Sequence, residues 1–127
     1  MRTWLVVGSR HHETEVQSMS PDEAAIAVAV GESVSRELDE DYVGFWVIPW
    51  DIRRRSKLAD DDLVREIAQA VLQGLSHSAV RIGELRGEFG LFLPWPERSG
   101  IERALREWRE LGRDPNIGEI AWLARER

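Results

Sequence analysis

The chain has 127 residues, 43% of them hydrophobic and 31% charged, with a net charge of -6 at pH 7 and no cysteine. This is the size and composition of one globular domain built on one core. Disulfides, thiolate metal sites and a cysteine nucleophile are excluded, and a reducing compartment fits. An acidic chain is not drawn as a whole to nucleic acid or anionic lipid, so any such binding has to be local.

Residues 3–7, with the apolar run Trp4-Leu5-Val6-Val7, read as a short strand buried on both faces. The run is shorter than a signal-peptide core and no stretch reaches the length of a membrane span, so a cytoplasmic location is expected, with no membrane partner. Ser20-Pro21-Asp22-Glu23 forms a capping box with proline at the first helical position; Ile26, Val30, Val34 and Leu38 follow at every fourth place. The pattern predicts a helix over 21–38. Residues 42–48 read as a second strand, parallel to the first and joined to it through that helix. Asp60, Asp61 and Asp62 supply negative charge to the start of a second helix, whose stripe Leu63, Ile67, Val71 and Leu75 ends near 74–77.

Residues 79–85 and 89–93 flank Arg86-Gly87-Glu88 and predict a hairpin, one long bent strand being the alternative. Ser99 and Glu102 read as another capping box, opening a helix with Ala104, Leu105, Trp108 and Leu111 on one face and Gly112 at its end. Its outer face pairs Glu102 with Arg106 and Arg103 with Glu107, a solvated pattern. Residues 117–124 fit a helix slightly better than an edge strand. The order β-α-β-α-β-β-α plus this tail describes an α/β or α+β fold, a mixed sheet of about four or five strands packed by three helices. Residues 44–50 and 90–95 resemble each other, which reflects two strands ended by proline and not a duplication.

Functional candidates fall in three places. Gly8-Ser9-Arg10-His11-His12 would leave the first strand beside Asp51 and Arg53, at the sheet edge where open α/β sheets hold ligands. Ser9 and Arg10 suit a phosphate, His11 or His12 an acid or base, and Asp51 an imidazole partner or a metal. No glycine-rich phosphate loop accompanies them. Adjacent histidines in extended chain diverge, which leaves His11 with Glu13 or Glu15 as the metal option, and no His-Glu-x-x-His pattern occurs. No metal or cofactor is therefore expected. Ser9, His77 and Asp51 lack the Gly-x-Ser-x-Gly elbow of a serine hydrolase, so no catalytic residues are assigned.

The second place is Arg53, Arg54, Arg55 and Lys57 next to Trp50, suited to a phosphate backbone with base stacking or to an acidic partner. The acidic loop Glu37, Asp39, Glu40 and Asp41 is its counterpart in sign. The third is the tryptophan set, six in all. Trp4, Trp46 and Trp108 read as core, whereas Trp50 and Trp95 follow prolines and read as half-exposed anchors for a partner. Three functions follow in order of support. The first is a non-enzymatic protein-binding domain of inhibitor, immunity or adaptor type, using Trp50, Trp95, Arg54 and Arg55. The second is an enzyme or sensor for a small phosphorylated ligand, using Ser9, Arg10, His11, His12, Asp51 and Arg53. The third is a nucleic-acid binder using Trp50 and residues 53–57.

Overall fold

The capping box at Ser20 forms as its residues dictate: Ser20 Oγ accepts from the Glu23 N–H at 3.1 Å, and the Glu23 carboxylate accepts from the Ser20 N–H at 2.9 Å. It opens helix α1 (Pro21–Leu38), which buries Val30, Val34 and Leu38. The computed structural model describes residues 19–57, 60–96 and 99–126. The strand expected at 3–7 and the residues 8–15 behind it lie outside them.

The strand expected over 42–48 is only two residues long, β1 (Val43–Gly44), and the chain then enters helix α2 (Val47–Ser56). Pro49 causes the difference. It sits in the first helical turn, where its missing N–H removes no intrahelical bond, so the proline read as ending a strand belongs to the start of a helix. Phe45, Ile48 and Ile52 recur at helical spacing and are fully buried. Short apolar runs do not separate the two periods.

Asp60 caps α3 (Asp61–Ser76), its carboxylate accepting from the N–H groups of Asp62 and Leu63 at 2.9 and 3.3 Å. Val64, Ile67, Ala68, Val71, Leu72 and Leu75 form the buried stripe. The hairpin is present as β2 (Val80–Arg86) and β3 (Leu91–Pro94), paired antiparallel with Arg86 opposite Leu91. Gly87 and Gly90 in its loop hold φ of 78° and 65°, values that residues with a Cβ rarely adopt.

Helix α4 (Gly100–Leu111) ends at Gly112 in the left-handed conformation, as read. Its expected capping box is absent. Ser99, at φ -101° and ψ 45°, makes no side-chain cap bond, because this is not the extended backbone that aims a capping oxygen at the first turn. The tail read as helical is a strand, β4 (Trp122–Arg125). Gly118 and Ile120 take φ of 83° and 71°, which breaks a helix, and β4 pairs antiparallel with β1 on one side and β2 on the other. Two ladders outweigh a weak local preference.

Among the described residues the architecture is α+β: four helices and one four-stranded sheet, ordered β1-β4-β2-β3 and antiparallel throughout. The second strand thus pairs with the last one, antiparallel, and makes no parallel pair among these residues. The two similar runs at 44–50 and 90–95 take different structures, helix α2 and strand β3. The core lies on the sheet face that carries Val80, Ile82, Leu123 and Arg125. Leu72 and Leu75 of α3 and Ile101 of α4 surround a cavity with Val80, Ile82 and Leu123, while Arg125 donates to the carbonyl and hydroxyl of Ser35 on α1 at 2.8 and 2.7 Å. Trp108 meets Phe45 edge to face, with centroids 5.8 Å apart, inside the helical layer.

Candidate functional site

Strand alternation sends the intervening residues to the other face of the sheet. Gly44 lies opposite Trp122, Trp122 opposite Gly83, Arg81 opposite Ala124 and Leu85 opposite Phe92. Tyr42, two residues before Gly44, shares their side. Gly44 leaves room for large side chains on this face, and Gly83 lets the β3 backbone approach closely. A Cβ at Gly44 would stand 2.5 Å from Trp46 Cδ1 and 3.6 Å from Trp122 Cζ3, so both indoles occupy the space that the glycine leaves. At Gly83 a Cβ would be 2.2 Å from the Leu93 carbonyl oxygen, and only glycine fits.

The result is a row of aromatic rings. Tyr42 reaches across the inner strands to stack on Phe92, with centroids 5.7 Å apart and planes at 28°. Trp46 lies over Gly44, the strand partner of Trp122, and meets Trp50 edge to face at 6.3 Å. Arg54 closes the row with its guanidinium 5.3 Å from the Trp50 ring centre. Tyr42 is 40% and Trp50 53% exposed, while Trp46, Leu85, Phe92 and Trp122 are half-buried.

At the Trp50 end the row opens into a cleft of about 550 Å³ between α2 and the loop after α4, lined by Trp46, Trp50, Arg53, Arg54 and residues 114–117. Ile117 is 73% exposed at its rim. Ion pairs fix both walls. Arg53 donates from Nε and Nη2 to Asp114 at 2.7 and 3.1 Å and from Nη2 to Asp61 at 2.8 Å, joining α2 to the loop and to the start of α3. The Asp114 hydrogen bonds, with Asp61 behind them, raise the Arg53 pKa above the usual guanidinium range. In the loop, Arg113 grips Glu119 with two bonds of 2.8 and 3.0 Å, and Glu119 also accepts from the Asn116 N–H at 2.7 Å. The Arg113 bonds, then the Asn116 bond, lower the Glu119 pKa to about 2.

The residues singled out from the sequence separate accordingly. Trp50, Arg53 and Arg54 meet in the cleft. Asp51 does not line the cleft and is 3% exposed, its two oxygens taken by Arg54 at 2.7 Å and Arg55 at 3.1 Å, all three on α2. Those bonds occupy the carboxylate that was read as an imidazole partner or a metal ligand. Trp95 is not a half-exposed anchor. It is 4% exposed, because its N–H prolongs the hairpin by donating to the Ile82 carbonyl at 3.0 Å and Arg103 of α4 covers its ring at 3.9 Å. Trp95 lines a pocket between α3, α4 and the sheet and Trp50 the cleft beside α2, so the two form no common patch. Trp46, read as core, is half-buried on this face, which is open among the described residues. Ser9, Arg10, His11 and His12 lie outside the described residues.

Sequence reasoning missed Tyr42, Leu85, Phe92 and Trp122 as one surface. The alternation of Tyr42 with Gly44 and of Trp122 with Ala124 was a usable signal, but only the strand order shows that these residues share a face. Among the described residues, no three or more histidine, aspartate or glutamate side chains converge to hold a metal, and no helix is long and apolar enough to cross a membrane. A second groove, about 480 Å³ between α1 and α3, is floored by Ala27, Gly31, Ala70 and Gly74 and lacks the converging polar groups of a reactive site. No protein-family model, curated protein or solved structure matches the chain.

Proposed function

We propose that this protein is a non-enzymatic protein-binding module of the inhibitor, immunity or adaptor kind, and that its contact surface is the open sheet face with the adjoining cleft. The observation that carries this reading is the set of large aromatic side chains on that face: the ring pairs Tyr42–Phe92 and Trp46–Trp50, with Trp122 of β4 between β1 and β2. Rigid rings flanked by exposed polar residues are the composition of an interface centre. Trp50, with Arg54 against its ring, is the exposed indole of this surface, and the buried Trp95 contributes nothing to it.

The charge arrangement weighs against the alternatives. A phosphate or nucleic-acid backbone needs cations to spare, whereas Arg53, Arg54 and Arg55 are each bonded to aspartates of the same chain. Asp51 and Arg53 are likewise engaged, which removes two of the groups proposed for a phosphorylated ligand. The test is affinity capture from the native cell extract with the wild-type chain and with Trp50→Ala and Trp122→Ala variants whose far-UV spectra match it. A protein retained by the wild type and released by both variants supports the reading. Retention by both, or a metal or nucleotide that raises the melting temperature in its place, contradicts it.

A further inference from the structure

Charge around the open face is unevenly satisfied. The guanidinia of Arg54 and Arg81 at this face are bonded within the chain, to Asp51 and Glu126. Beside Tyr42 the balance reverses. Glu37, Glu40 and Asp41 line one shallow cleft with Tyr42, against the single guanidinium of Arg36. Asp41 accepts only a backbone bond there, from the Tyr42 N–H at 2.7 Å, and the neighbouring Asp39 is paired with Arg125 at 3.2 Å. Among the described residues, the carboxylates of Glu37, Glu40 and Asp41 beside Tyr42 are therefore not neutralised by a side-chain cation partner.

Resting on the contact surface proposed above, we infer that the partner is a basic protein segment that lays arginine or lysine side chains on the rings and pairs them with Glu37, Glu40 and Asp41. Two independent features ask for the same chemistry. The negative faces of indole and phenol rings attract cations, guanidinium above all, and Arg54 on Trp50 and Arg103 on Trp95 already show that contact in this chain. The carboxylates beside Tyr42 attract the same charge and repel phosphate. An apolar centre with an acidic border is complementary to an apolar centre with a basic one.

The six tryptophan indole N–H groups supply the test, read by nitrogen-15 NMR on the full chain. Hexaarginine is expected to shift the Trp46, Trp50 and Trp122 signals in a saturable, salt-sensitive manner and to leave the buried Trp95 and Trp108 in place. Hexaglutamate and oligothymidine are expected to shift none. Reversing Glu37 and Glu40 together to lysine should weaken hexaarginine at least about fivefold. Both are exposed at the C-terminal end of α1, where positive charge favours the helix, so the variant folds. The same reversal at Glu102 and Glu110 on α4 should change little. Unmoved indoles, an equal loss from both reversals, or the same shifts with oligothymidine would overturn the inference. If Trp50→Ala and Trp122→Ala release a captured protein while hexaarginine moves nothing, the contact surface stands and only the basic character of its partner fails.

Discussion

Gly31 and Gly74 face the groove between α1 and α3 from inside helices, and a Cβ at either would meet nothing within 4 Å. Replacing a helical glycine with alanine lowers the entropy of the unfolded chain without requiring a strained φ. Gly31 is deep in α1, so Gly31→Ala should stabilise by about 1 kcal/mol; Gly74 is in the last turn of α3, where fraying lowers the gain to about 0.5 kcal/mol. At an unfolding entropy of roughly 2.1 cal/mol/K per residue, each kcal/mol raises the melting temperature of a domain this size by about 4 °C. The double variant should then melt about 6 °C higher. Thermal melts followed by far-UV circular dichroism, with a urea titration to confirm a constant m-value, measure the gain. Because the groove lies away from the aromatic row, capture of the partner should be unchanged. A fall in melting temperature in either single variant, or loss of the partner in the double one, would refute the reasoning that the groove is open space outside the contact surface.

Trp108, 2% exposed and packed on Phe45, should cost about 3–5 kcal/mol when changed to alanine, read by chemical denaturation; a cost below about 1 kcal/mol would contradict its place in the core. Gly44→Ala drives a methyl into the Trp46 ring, so it should destabilise by about 1–3 kcal/mol and reduce partner binding through displacement of the indoles. Unchanged stability, binding and indole signals in that variant would refute the packing of Trp46 over Gly44. Glu119 has its carboxylate pKa lowered from an ordinary 4.5 to about 2, so the stabilisation from its Arg113 and Asn116 bonds is fully present above 4.5 and is lost as pH falls towards 2. An NMR titration of the Glu119 side chain should give a midpoint near the lower value, and Arg113→Ala should return it towards the ordinary one. A midpoint near 4.5 in the wild type would show that the loop is not held in this way.

Helices α1 and α3 were legible because their signals are local: a capping serine or aspartate, acidic first turns and an apolar stripe at helical spacing. The hairpin was favoured from Gly87 between two apolar runs, with one bent strand as the alternative that the β2–β3 pairing rules out. Residues 45–52 misled because Phe45, Trp46, Val47 and Ile48 suit strand and helix alike, and Pro49 is compatible with ending one or starting the other. Residues 117–124 misled because β4 owes its existence to partners more than 35 residues away in β2 and β1. The site was half visible for the same reason. Trp50 and its arginines are neighbours in sequence and stand together in the fold, whereas Tyr42, Phe92 and Trp122 meet only after β4 inserts between β1 and β2. Trp95 repeats the Pro-Trp pattern of Trp50, but α4 folds over it.

Backbone amide exchange of the protein alone and bound to its captured partner tests the contact surface most directly, since exchange reports protection along the whole chain. Slowed exchange is expected at Val43 and Gly44, along β3 and β4, and at Asp114, Asn116 and Ile117, with the amides of α1 and α3 that border the groove unchanged. Protection confined to the α1 and α3 groove, with β1, β3 and the 114–117 loop unaffected, would contradict it.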